Sequence, residues 1–421
     1  MPSLATLDKD GLEAFKEGAE RELADFKAQS LSLNMSRGKP SPDQLDLSLG
    51  LLDVLDSQSD PGLYLAHTTS DLRNYGMLGG IPQARALMAA LMDVDPDHVM
   101  VLGNSSLNIM YDTVARELRA WSCAAPKFIC PVPGYDRHFG VTEHLGIEMV
   151  NVEIGPDGPD MDVVEQLVQN DPDVKGIWCV PKYGNPSGIT YSDDTVRRFA
   201  RLRPAAPDFR IYWDNAYAVH DFSDTPDQLL SLEAECLKAD NPDIYFIFAS
   251  TSKISFASGG IAAIASSPAN LAKIESDLSF HNIGPDKLNQ LRHVLFFKDL
   301  AGIKAHMAKQ AELIRPKFAS VLATLESELG GLEAAEWSHP NGGYFICFKG
   351  LSGTAARTIA LCAESGVTLT GAGAPFPYHK DPEDRVIRIA PTYPGLVELK
   401  TASEILCTAY KIAAAERLLA L

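Results

Sequence analysis

The chain has 421 residues, 46% hydrophobic and 22% charged, with a formal net charge of −18 and an isoelectric point near 5.0. That length suffices for two domains with a sizeable core. The acidic balance argues against a nucleic-acid or anionic-membrane partner, since either needs a basic stripe to displace counterions, and it favours a small-molecule ligand. No apolar stretch approaches the roughly 20 residues of a membrane span, and the opening segment with Asp8, Asp10, Glu13 and Lys16 lacks a secretory apolar region. A cytoplasmic protein is expected. Seven widely spread cysteines with no Cys-x-x-Cys pair, most of them in apolar runs, read as buried free thiols rather than disulfides or a zinc site.

Leu12, Phe15, Ala19, Leu23 and Phe26 recur at helical spacing, which predicts an amphipathic helix over residues 7–28. Short apolar runs then occupy residues 98–103, 127–133, 148–154, 176–181, 210–215, 244–250 and 260–266, with amphipathic segments such as 105–121, 161–169 and 192–202 between them. This alternation predicts an α/β fold: a mostly parallel seven-stranded sheet with helices on both faces. Ligands of such sheets gather where strands end, and Asn104, Asn185, Asp214 and Lys253 all fall at or just beyond those ends. The carboxyl-terminal third has a different texture. A long helix over 301–329, bent at Pro316, precedes strands at 343–349 and 385–390 and helices at 355–365 and 397–419, which together predict a smaller α+β unit. The expected division is an amino-terminal helix and loop over 1–60 that packs with the small domain, a large ligand-binding domain over 61–300 and a small domain over 301–421.

Asp214 and Tyr217 in Asp-Asn-Ala-Tyr, followed by Ser250-Thr251-Ser252-Lys253, read as a socket for pyridoxal 5'-phosphate. That cofactor needs a lysine amine for its aldehyde, a carboxylate for its ring nitrogen and a hydroxyl donor for its phenolic oxygen. Each residue alone has a plainer reading. Asp214 is a loop end or helix cap, Asn185 a turn residue before Pro186, Ser105 or Ser106 a helix cap, and Tyr135 core packing. Gly371-Ala372-Gly373 stands too late in the chain and opens no βαβ unit, which disfavours a dinucleotide-dependent dehydrogenase.

The order of the whole set decides between these readings. Asn-Tyr-Gly from 74, Gly-Asn-Ser-Ser from 103, Pro-Gly-Tyr from 133, Asn-Pro-Ser-Gly from 185, Asp-Asn-Ala-Tyr from 214, Ser-Thr-Ser-Lys from 250, Pro-Asn-Gly-Gly-Tyr-Phe from 340 and Arg-Ile-Ala-Pro from 388 follow one another. In these motifs the chain resembles the class I/II aminotransferases of the fold-type I pyridoxal-phosphate enzymes, most of all the bacterial subgroup described both as MocR-type and as aspartate aminotransferases. The resemblance implies that Lys253 carries the cofactor and shuttles the substrate proton, and that Asp214 faces the ring nitrogen. It also implies that Tyr217 and Asn185 bond the phenolic oxygen and that Tyr135 stacks over the ring. Asn104, Ser105, Ser106 and Ser250 are then the phosphate donors. Tyr75 is implied to reach the phosphate of a neighbouring subunit, which makes a homodimer with composite sites. Arg388 and Asn185 would take the substrate α-carboxylate, and Arg37 and Gly38 lie in the loop over the substrate, where Arg37 and Lys39 favour aspartate or glutamate with a 2-oxo acid partner. One position departs from the family pattern: Ile261 stands where an arginine usually neutralises the phosphate. Two rivals accompany this reading, another pyridoxal-phosphate reaction such as β-elimination or decarboxylation, and an effector-sensing domain without catalysis.

Overall fold

The computed structural model describes residues 3–65 and 70–421. All seven apolar runs form strands of one sheet, as expected, and a two-residue strand completes it: β1 Val99–Val101, β2 Lys127–Val132, β3 Glu148–Gly155, β4 Gly158–Pro159, β5 Val174–Cys179, β6 Arg210–Asp214, β7 Tyr245–Ser250 and β8 Ala262–Ala265. Their order across the sheet is β1-β8-β7-β6-β5-β2-β3-β4. From β7 to β3 every neighbouring pair is parallel, β8 is antiparallel to both its neighbours, and β4 folds back on β3. This is the architecture of the fold-type I pyridoxal-phosphate transferases.

The strands read as continuous apolar runs because both faces of the sheet are covered. Alternate side chains feed two cores, with Ile211, Trp213 and Ile247 on one face and Tyr212, Phe246 and Phe248 on the other. The second face is aromatic, the Phe128 ring lying 5.6 Å from Trp178 and 5.1 Å from Tyr212. Gly176 in β5 makes room for it, since a Cβ there would stand 2.4 Å from the Phe128 ring.

A third core lies away from this sheet. The Lys9–Lys27 helix starts where Asp8 accepts a bond from the Gly11 amide (2.8 Å), and it packs along the Leu396–Leu419 helix through Leu12, Ala19 and Leu23. Leu33–Asn34 pairs in parallel with Val367–Thr368, so the amino-terminal segment is built into the carboxyl-terminal part of the molecule. A three-stranded antiparallel sheet of Glu336–Trp337, Ile346–Lys349 and Val386–Ile389 carries Arg388. The Leu300–Leu329 helix runs through Pro316 without interruption. Ile303 and Met307 belong to the core of the large sheet, Ala311, Ile314 and Phe318 to the third core, so this one helix is gripped on both sides of the proline. Among the described residues no helix is long and apolar enough to cross a membrane.

Gly176→Ala is expected to destabilise the protein by about 1–3 kcal/mol, because an added methyl must displace an aromatic ring in a close-packed layer. Urea unfolding checks this, and an unchanged midpoint would show that the Phe128 layer yields freely.

Candidate active site

The loops that leave the parallel strands converge on one cavity of about 530 Å³. Tyr135 follows β2, Asn185 follows β5, Asp214 ends β6 and Lys253 lies just beyond β7. All four line the cavity, with Arg37, Gly38, Ser106, Tyr217 and Arg388. A second cavity of about 500 Å³ holds Lys182 and Asp221, but these already pair with each other at 2.8 Å.

Asp214 is 3% exposed. Its Oδ2 accepts from His138 Nε2 at 3.0 Å, while Oδ1 is buried with no hydrogen-bond partner among the described residues. A carboxylate only accepts, so Nε2 of His138 carries the proton. The imidazole is itself fixed, stacked on Trp178 at 4.3 Å and met edge-on by Tyr135 at 4.9 Å. Trp178 Nε1 donates to Thr142 Oγ1 (2.8 Å), and that hydroxyl donates to the His138 carbonyl (2.8 Å). Sequence reading missed His138, although it sits on the first turn of the Asp136–His144 helix, three residues after Tyr135.

Lys253 lies against Tyr217, its Nζ 4.9 Å from the ring centroid. Burial pushes the amine below the usual lysine range, and the Asp214 carboxylate offsets this only in part. Burial likewise drives the Tyr135 and Tyr217 phenols well up, so both stay protonated and able to donate. His220, whose ring meets Tyr217 edge-on at 5.5 Å, is driven down to about 3 by burial first and then by the Lys253 charge. It therefore remains neutral.

Arg388 is 7% exposed and closes the other end of the cavity. Its Nη1 donates to Asp136 Oδ1 (2.7 Å) and Asn185 Oδ1 (3.2 Å), its Nη2 to Thr370 Oγ1 (3.2 Å), and the guanidinium lies 5.0 Å over the Phe345 ring. Asp136, Thr370 and Phe345 carry no local signal of this role. Gly38 passes over the same ring so closely that a Cβ would lie 2.4 Å from it, which explains a glycine in that loop. Lys39 stacks on Tyr393 at 3.8 Å, whereas exposed Arg37 has no side-chain hydrogen bond or ion pair among the described residues.

The expected phosphate donors gather where β1 gives way to the Ser106–Ala120 helix. Ser105 is the N-cap, yet its side chain makes no capping bond, which leaves the hydroxyl for another acceptor. Ser252 Oγ donates to the Asn104 carbonyl (3.1 Å) and Asn104 Nδ2 to the Ser258 carbonyl (2.9 Å), so the turns before Ser106 and Lys253 form one wall. Ser106 lines the cavity; Asn104, Ser105 and Ser250 do not. Ile261 is 2% exposed within the sheet core, its amide donating to Thr251 Oγ1 (2.9 Å), so no charge comes from that position. Tyr75 also stands apart from the cavity, 77% exposed, on a segment tied to the 283 region by the Gly76 amide and the Ile283 carbonyl (3.0 Å).

A half-buried amine, a buried carboxylate with one oxygen unpartnered among the described residues, protonated phenols and an arginine around one cavity of this sheet are the groups a pyridoxal-phosphate-dependent enzyme needs. The Asp214 oxygen fits the protonated ring nitrogen of that cofactor. The family model described as aspartate amino-transferase matches residues 7–420, and the chain belongs to that family. It is 41% identical to the aspartate aminotransferase of Corynebacterium glutamicum over 98% of this chain and 97% of that one. A crystal structure of an aspartate transaminase from C. glutamicum superposes with a TM-score of 0.95 at 40% identity, covering 99% of each chain. The α-aminoadipate aminotransferase of Thermus thermophilus, at 18% identity over 95% of each chain, shares the fold with a TM-score of 0.73. The cofactor is pyridoxal 5'-phosphate.

Lys253→Met is expected to raise the melting temperature of the cofactor-free protein at neutral pH. Burial disfavours the charged amine, so the penalty is full below the lowered folded-state pKa and disappears above the unfolded value of about 10.4. Thermal melts from pH 7 to 11 should show the gain shrinking as pH rises; an equal or lower melting temperature at pH 7 would contradict the assigned protonation energetics.

Proposed function

We propose that this aminotransferase takes aspartate or glutamate as amino donor and a 2-oxo acid as acceptor, in a cytoplasmic homodimer, with residues 61–300 as its cofactor domain and residues 1–60 joined to a small domain over 301–421. The observation that carries the residue assignments is Asp214, a buried carboxylate with one oxygen tied to His138 and the other unpartnered, in a cavity shared with the Lys253 amine.

Pyridoxal 5'-phosphate, when bound, supplies an aldehyde that condenses with amines and a ring that draws electrons from the α-carbon of the substrate. Lys253 would hold the cofactor through its amine and, with its pKa lowered by burial, would serve as the neutral base that carries the substrate α-proton. Asp214 would face the ring nitrogen, and His138 holds the carboxylate aligned for it. Tyr217 would donate to the phenolic oxygen. Asn185 donates there with Nδ2, since its Oδ1 is already accepting from Arg388. Tyr135 covers the ring face, and Ser105, Ser106, Ser250 and the Asn104 amide serve the phosphate through hydroxyls and helix amides in place of an arginine.

Arg388 is a planar, permanently charged donor suited to the α-carboxylate. Exposed Arg37 over the same cavity suits a second carboxylate, which supports the dicarboxylic substrates; the name of the C. glutamicum relative supports them too. The dimer is supported by an exposed apolar patch on linked segments, with Tyr75 77%, Phe280 87% and Ile283 62% exposed.

Borohydride reduction followed by peptide mapping should place the cofactor on Lys253, and Asp214→Asn should lower glutamate formation from aspartate and 2-oxoglutarate by about 10²–10³-fold. Label on another lysine, or an Asp214→Asn enzyme of undiminished rate, would refute the assignment. Sedimentation of the holoenzyme is expected to give twice the 45.6 kDa chain mass; a fully active monomer would eliminate the composite site.

A further inference from the structure

Arg388 does not face the cavity as a free cation. Asp136, whose side chain is 22% exposed, accepts from its Nη1 at 2.7 Å, and the second Nη1 contact goes to Asn185 at 3.2 Å. The alternative edge of the guanidinium is closed. Nη2 donates to Thr370 at 3.2 Å, and Nε is buried away from solvent with no hydrogen-bond partner among the described residues. A carboxylate that seeks two parallel donors must therefore approach the end where Asp136 already sits.

We propose that Asp136 is a resident counter-ion, a carboxylate that the substrate α-carboxylate must displace from Arg388 before it can bind. This inference rests on the aminotransferase reading of the cavity and adds a residue that sets substrate affinity. Asp136 has somewhere to go. It opens the Asp136–His144 helix, whose amino end favours a negative charge, and exposed Arg137 beside it lines the same cavity. Two carboxylates cannot share one guanidinium edge without repulsion, so the resident one lowers the affinity of every entering carboxylate alike. Because Arg388 holds the α-carboxylate equally in the ground state and in the transition state, the penalty falls on binding and not on turnover. It also falls equally on monocarboxylic and dicarboxylic substrates, since only the shared α-carboxylate meets Asp136.

The opposite role, a positioning residue that orients Arg388 for the substrate, predicts the opposite sign. Asp136→Asn and Asp136→Ser holoenzymes should show KM for aspartate lowered by about tenfold with kcat unchanged, as for relief of like-charge opposition at a binding site. The ratio of kcat/KM between aspartate and alanine should stay as in the wild type, and Asp136→Glu should keep the weak wild-type KM. Calorimetric titration of the holoenzyme with maleate, which needs no turnover, should show the same gain in affinity for both neutral variants. A KM and maleate Kd that rise or stay level in the folded variants would overturn the counter-ion role. If no amino acid is turned over by the wild type, the aminotransferase reading fails separately, and maleate binding still decides the fate of Asp136. Should one neutral variant fail to fold, the other carries the test.

Discussion

The active site depends on one buried carboxylate. Asp214 sits at the end of a central strand, almost wholly removed from water, with one donor on Oδ2 and, among the described residues, none on Oδ1. An ionised group so placed is held only where surrounding structure fixes it. Here that structure is a relay: Trp178 in β5 stacks on His138, His138 donates to Asp214, and Thr142 ties Trp178 to the helix that carries His138. Two parallel strands and one helix thus set the position of one oxygen. The unsatisfied oxygen is left free for a donor from a bound ligand, and supporting groups of this kind align a charged group as firmly as direct contacts do.

Lys253 and Arg388 both line this cavity, and their side chains are not interchangeable. Lys253 is half-buried, and its ammonium form is the one that loss of solvent penalises, which suits an amine that acts when neutral. Arg388 is buried and presents a planar fork with Asp136, Asn185 and Thr370 around it, which suits the recognition of a carboxylate. No third cation stands at Ile261, where the chain uses the position for the apolar core of the sheet. The amino end of the Ser106–Ala120 helix and an uncommitted Ser105 hydroxyl are the resources left at that end.

Most of this was legible in the sequence for physical reasons. The strands are buried on both faces, so they appear as unbroken apolar runs, and the chemistry sits at their carboxyl ends where a parallel sheet leaves its crevice. What was not legible is held by contacts between distant segments. Asp136 meets Arg388 across 252 positions and His138 meets Asp214 across 76, and neither pairing leaves a periodic trace. Gly158–Pro159 and Leu33–Asn34 are too short to show a pattern and exist because a neighbouring strand pairs with them. Pro316 illustrates how packing acts beside a local signal: the proline removes one helical hydrogen bond, and contacts with two cores on either side of it carry the helix onward.

The cavity is assembled from two cores, and each supplies a different kind of work. Asp214, Lys253, Asn185 and Tyr135 come from loops of the large sheet, whereas Arg388 and Phe345 come from the small sheet and its flank, and Gly38 from the segment paired beside it. On the proposed assignment, groups that would act on the cofactor are thereby separated from groups that would grip the substrate. Direct bonds cross between these halves beside the cavity: the Gly134 amide reaches the Pro375 carbonyl (2.8 Å), Tyr344 Oη the Lys253 carbonyl (3.4 Å), and Arg388 reaches Asp136 and Asn185. Asp136 belongs to the large-sheet side and Arg388 to the other, so their ion pair is a tie across the cavity as well as a contact within it. A substrate carboxylate that takes the place of Asp136 exchanges that tie for one running through the substrate itself.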